Sequence, residues 1–123
     1  MITVPGFLLR RLYVKESLRN SYVGFEFQLE NGLGSGYAQK MWPLNLDGEE
    51  LSIDSTYFSV EGQDASFADV SPDSPFTLAM HKAITVWVAG VKLQPGAHKI
   101  EMAFDVPGIG TLRFDFTDVA ADE

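Results

Sequence analysis

The chain has no cysteine. No disulfide can staple it, and no thiolate can hold zinc or an iron-sulfur cluster or act as a nucleophile. Imidazole is almost as scarce, with His81 and His98 the only histidines. Neither stands in a ligand-spaced pattern such as HExxH or HxH, and a histidine acid or metal ligand needs converging partners. His98, just after Pro95-Gly96, reads as a turn or surface histidine, whereas His81, beside Lys82 and after FTLAM, could hydrogen-bond a ligand or partner. Basic residues number 9 against 17 acidic ones, a formal charge of -8. That excludes the basic face on which nucleic-acid binding depends. No apolar run approaches the roughly 20 residues that span a bilayer. In MITVPGFLLRRLYV the arginines follow the short apolar run, the reverse of a signal peptide's order, so a cytoplasmic protein is expected.

The positive charge that is present is unevenly placed. Arg10, Arg11, Lys15 and Arg19 stand against Glu16 alone in the first twenty residues. Such a run reads either as a solvated strand face or as a docking edge for an acidic partner surface.

Hydrophobic periodicity is two almost throughout. In GFEFQLEN, Phe25, Phe27 and Leu29 alternate with Glu26, Gln28 and Glu30, the pattern of a half-buried antiparallel strand. HKIEMAFDV and TLRFDFTDV repeat it on either side of PGIG, so residues 98–118 read as a long hairpin. Asp47-Gly48 suits a primed turn in a shorter hairpin. Residues 56–60 read as a strand, residues 76–80 as a strand or a helical turn, and the nearly all-apolar AITVWV at 83–88 as a central strand buried on both faces. Residues 62–74, small and acidic with Pro72, read as a mobile loop, and 118–123 as a fraying tail. With no apolar stripe of helical spacing, residues 1–123 are expected to form one all-β domain, an antiparallel β-sandwich of about eight strands.

The stretch ENGLGSGYAQKMWP has the glycines of a phosphate loop but not its chemistry. It lacks the last glycine of GxGxxG, the lysine of a Walker loop and a following helix. Its role is conformational: Asn31-Gly32 turns the chain out of the preceding strand, and Gly34 and Gly36 permit a bulge or a close approach. Tyr37, Met41 and Trp42 then offer contact area of the kind enriched at interfaces, or, for Met41 and Trp42, ordinary core packing. The carboxylates around Asp47, Glu49 and Glu50 belong to a turn, and Asp64, Asp69 and Asp73 lack the spacing of a calcium loop. No catalytic or metal-ligating residue is assigned in this chain.

In order and spacing, FLLRRLYVKESLRN, GFEFQLEN, GLGSGY and PLNLDGEEL resemble the small (beta) subunit of bacterial C-glycoside deglycosidases. The likeness covers about the first half of the chain. It implies a non-catalytic subunit paired with a larger TIM-barrel alpha subunit. That alpha subunit would hold a divalent metal such as manganese and the catalytic base. Together they would act as a lyase on the carbon-carbon bond between a 3-oxo-sugar and a flavonoid-type aglycone. Gly34, Gly36, Tyr37, Met41, Trp42 and His81 are then the residues expected to meet partner or substrate. A free-standing carbohydrate-binding β-sandwich using Tyr37, Trp42 and Trp87 is the alternative, though Trp87 in AITVWV reads as buried core.

Overall fold

The computed structural model describes residues 4–121. A helical turn α1 (Gly6–Leu9) and a 3-10 turn (Arg10–Leu12) precede β1 (Arg19–Asn20), β2 (Gly24–Glu30), β3 (Gly36–Ala38), β4 (Lys40–Met41), β5 (Asn45–Leu46) and β6 (Glu49–Glu50). Then come β7 (Thr56–Val60), β8 (Gln63–Ser66), β9 (Phe76–Leu78), β10 (Ala83–Ala89), β11 (Ala97–Val106) and β12 (Gly110–Val119). One sheet has the order β1-β2-β10-β7-β8, a second has β12-β11-β5-β6 with β4 also on β11, and β3 pairs with β9 alone. Every pairing between these strands is antiparallel. The all-β antiparallel architecture expected from the alternation is therefore the one the chain adopts. No described helix is long and apolar enough to cross a membrane.

The alternation also decides which side chains meet. Phe25, Phe27 and Leu29 of β2, Ile84, Val86 and Val88 of β10, and Ile100, Met102 and Phe104 of β11 are all buried between the sheets. Aromatic rings join the layers at two places. Tyr13 stacks on Phe116 with centroids 3.7 Å apart, and Phe116 meets Phe27 edge-on at 5.1 Å. Phe76 on β9 meets Phe58 of β7 edge-on at 4.7 Å and lies 6.3 Å from Phe104 of β11. Such offset and edge-to-face pairs contribute about 0.5–1.5 kcal/mol each beyond the burial of area.

The Tyr13 hydroxyl donates to Asp118 at 2.7 Å and accepts from the Leu18 N–H at 3.2 Å. Burial, then the bond to Asp118, pushes its pKa up to about 12. Burial opposes ionisation of Asp118, but donors from Tyr13 and the Glu16 and Val119 amides outweigh it and leave its pKa lowered. This bond pins the N-terminal segment to β12.

Several expectations change. The run 83–88 is buried on one face only: Trp87 points outward and stacks on Tyr57 at 5.4 Å, so two rings shielding each other, not a covering layer, account for its apolar outer residue. Residues 62–74 are not a plain loop. Glu61 and Gly62, with φ of 52° and 81°, form a two-residue turn into β8, and buried Phe67 anchors a 3-10 turn at Phe67–Asp69. Arg10 and Arg11 lie in a 3-10 turn because Leu9, Leu12 and Tyr13 recur at spacings of three and four, which places one face inward, whereas Lys15 follows that turn and Arg19 stands in β1. The strand-face reading is withdrawn for Arg10 and Arg11. The tail is paired as far as Val119, and Ala121 bridges Arg19; the expectation of fraying at Asp122 and Glu123 falls outside the described residues.

Gly24 faces Ala89 across the β2–β10 ladder, and a Cβ there would overlap the Val88 carbonyl. Gly36 has open space around it. Gly24→Ala is therefore expected to lower the unfolding free energy by about 2–3 kcal/mol in urea titration. Gly36→Ala, by contrast, should change it by less than about 0.5 kcal/mol.

Candidate functional site

The glycine-rich stretch becomes a loop between β2 and β3, and a single side chain holds it. Asn31 is only 3% exposed. Its Nδ2 donates to the carbonyls of Gly34 at 2.6 Å and Leu78 at 2.8 Å, and its Oδ1 accepts from the Leu33 N–H at 2.9 Å. Its backbone carbonyl accepts from the His81 N–H at 2.8 Å, while the Met80 N–H donates to the Ser35 hydroxyl at 3.2 Å. A short side chain with two donors and an acceptor suits this position, since aspartate cannot donate and glutamine is longer. Gly34, at φ 142°, holds a conformation that favours glycine.

Below the loop lies a cleft of about 280 Å³ with apolar walls that include Leu9, Leu12, Leu78, Phe104, Ile109 and Leu112. Its rim is unusually apolar. Leu33 is 41% exposed and Tyr37 46%, although each is a large hydrophobic side chain, and Met80, whose N–H meets the loop at Ser35, is 43% exposed. On the other side of Leu33 is a polar depression of about 370 Å³ bordered by Arg11, Glu30 and His81. His81 sits at φ 59°, and its ring makes no hydrogen bond within the described residues.

The other expected contact residues disperse. Met41 is buried, paired with Phe104. Trp42 lies on the outer side of the second sheet, its Nε1 donating to Asp105 Oδ1 at 2.8 Å with Lys40 Nζ 4.0 Å from its ring centroid. The Thr111 hydroxyl donates to the same oxygen at 2.6 Å; that bond first, then the indole's, lowers the Asp105 pKa. Arg10 reaches the Asp115 carbonyl at 2.7 Å, and Arg19 places Nε and Nη2 on Glu26 at 3.2 and 2.9 Å. Arg11 borders the polar depression, and Lys15 a separate hollow beside Tyr13 and Asp118. Arg10 lines that same hollow, and Arg10 and Arg19 are in intrachain ion pairs.

His98 is bound as a structural link. Its Nδ1 lies 2.6 Å from Asp47 Oδ2 and its Nε2 2.6 Å from the Gln94 carbonyl oxygen, and its side chain is 11% exposed. Asp47 also accepts the Lys99 N–H at 2.8 Å, so the β5–β6 turn is tied to β11. Asp47 holds the His98 pKa above its usual value, with help from the Gln94 carbonyl; His98 in turn holds Asp47 below the usual carboxylate range, with help from the Lys99 amide. Among the described residues, no group of three or more His, Cys, Asp or Glu is arranged to hold a metal ion.

The sequence reading treats Asn31 as a turn former and misses it as the residue that organises the site. Asn-Gly directly after a strand is the available signal, but the Leu78 carbonyl lies 47 residues away. Leu33 and Met80 carry no local signal.

Residues 8–121 match the model of the family described as Hydroxymethylglutaryl-CoA reductase, N-terminal domain, and the chain belongs to that family. No curated protein matches the chain. The family match overturns the resemblance to the C-glycoside deglycosidase small subunit, and with it the lyase function and the flavonoid 3-oxo-glycoside substrate. The motifs behind that resemblance have local structural causes: a half-buried strand, an asparagine-pinned loop and a primed turn at Asp47-Gly48. The carbohydrate-binding alternative falls as well. Trp87 and Trp42 occupy the outer faces of different sheets, and Tyr37 stands on the cleft rim, so the three rings form no common platform.

Asn31→Ala leaves the Leu78 carbonyl and the Leu33 N–H without their partner, so a loss of about 2 kcal/mol is expected in urea titration. Asn31→Asp should not restore it, because a carboxylate cannot donate to Gly34 and Leu78. The His98–Asp47 pair gives a two-sided pH dependence. The raised imidazole contributes fully below its ordinary pKa and loses its contribution as pH rises through the folded-state value. The depressed carboxylate contributes above its ordinary pKa and loses its contribution as pH falls. Stability from the pair should thus peak between about pH 4 and 6.5. In melts across pH, His98→Gln should flatten the decline on the alkaline side and leave an acid-side decline from Asp105 and Asp118.

Proposed function

We propose that this member of the hydroxymethylglutaryl-CoA reductase N-terminal-domain family is a non-catalytic accessory module that docks on the catalytic part of such a reductase. The observation that carries this reading is the exposed apolar pair Leu33 and Tyr37 on the rim of the cleft under the glycine loop, with exposed Met80 joined to the loop at Ser35. Asn31 and Ser35, the polar side chains of that loop, are engaged within the chain, so the face offers contact area rather than proton transfer. Burying the exposed parts of these three side chains contributes on the order of 2–3 kcal/mol. Association itself costs several kcal/mol, so the interface must extend over the cleft and the Arg11–Glu30–His81 depression to a larger partner. The resulting assembly is a hetero-oligomer in which the reaction belongs to the partner.

Size-exclusion chromatography and calorimetry with the catalytic part of a hydroxymethylglutaryl-CoA reductase should detect a complex. Leu33→Asp combined with Tyr37→Asp should weaken it by at least about tenfold while leaving the thermal midpoint nearly unchanged, since both residues are exposed in the chain alone. The purified chain supplied with hydroxymethylglutaryl-CoA and a hydride donor should show no turnover. Absence of a complex, or turnover by the chain alone, would sink the reading.

A further inference from the structure

The sandwich has a second open feature, along the edge of its first sheet. β8 ends its sheet, and across a cleft of about 410 Å³ it faces the segment that carries Ser74, Thr77 and Ala79. The two-residue turn at Glu61-Gly62 makes Val60 and Gln63 the hydrogen-bonded closing pair of the β7–β8 hairpin. Alternation then assigns the Ala65 backbone groups to β7 and turns the N–H and C=O of Asp64 and the N–H of Ser66 outward, where no described strand receives them; the Ser66 carbonyl caps the 3-10 turn at Phe67–Asp69. The slot therefore has one wall of free strand edge. Its floor includes Phe58 and Val70, which can accept alternate apolar side chains of an extended chain.

Charge specifies the occupant. Glu61, Asp64 and Asp69 border the slot, and no lysine or arginine lines it. Lys82 pairs with Glu61 at 2.6 Å, whereas Asp64 and Asp69 form no ion pair among the described residues. A second copy of this chain would bring the same carboxylates edge to edge, an arrangement that opposes strand pairing. We propose that β8 accepts an extended basic segment of a partner protein as an added strand. Lysine or arginine side chains of that segment lie against Asp64 and Asp69, and its apolar residues point into the slot.

The test is titration of the isotopically labelled full chain with an alternating Lys-Val hexapeptide, followed by NMR, beside its Glu-Val counterpart. The expected result is saturable shifts and slowed amide exchange centred on Asp64 and Ser66 with the basic peptide alone, weakened about tenfold by raised ionic strength. Asp64→Pro removes an outward N–H and spares the β7–β8 ladder, so it should abolish binding. Asp64→Lys with Asp69→Lys, both at the surface, should weaken binding at least about tenfold and keeps the test decisive if the proline variant does not fold. No shifts on β8, equal binding of the acidic peptide, or self-association of the chain through β8 would each overturn the proposal.

Discussion

Closure of the two main sheets by aromatic rings is the constraint on which the rest of the molecule depends. β9 belongs to neither sheet, yet its Phe76 ring lies between Phe58 of one and Phe104 of the other, with Phe67 alongside. At a second place Tyr13, Phe116 and Phe27 do the same. With no disulfide to hold the layers together, this interlocking carries the closure, and a buried ring of this kind is worth about 3–5 kcal/mol when deleted. Directional ring contacts also limit how the sheets can slide, which a uniformly aliphatic core would not do.

The candidate site is a consequence of that closure. Burying Phe76 fixes β9 against β3 and brings the Leu78 carbonyl and the amides of Met80 and His81 to the glycine loop. Asn31 satisfies groups from both segments at once, so the loop is held on the core rather than left to solvent. Side chains that would otherwise be covered, Leu33, Tyr37 and Met80, are displayed because the backbone beneath them has no freedom to fold them inward.

Two features of the surface share a physical logic. The loop rim presents apolar area with its polar groups already engaged, and the β8 edge presents free backbone groups with unpaired acidic charge beside them. Contact area and strand pairing are what the two proposed interactions draw on, while His98 ties a turn to β11 and His81 occupies a left-handed backbone position. The acidic excess fits this division, because it leaves the nearby cations, Arg10, Arg19 and Lys82, engaged in pairs within the chain.

What the sequence by itself determined was local. The period of two in 25–29 and 98–118 dictated half-buried antiparallel strands, and Asp47-Gly48 dictated a primed turn, because side-chain alternation and positive φ depend on neighbours a few residues apart. The same locality explains the misreadings. An outward Trp87 and an inward one look alike in AITVWV, since only pairing with Tyr57 decides how that face is shielded. Tertiary structure alone decided that Asn31 is buried and fully engaged, that Met41 enters the core while Trp42 turns out to Asp105, and that β8 ends its sheet. Each of those outcomes rests on partners tens of residues away, brought together by burial of apolar surface, which has no direction along the chain and so leaves no local mark in it.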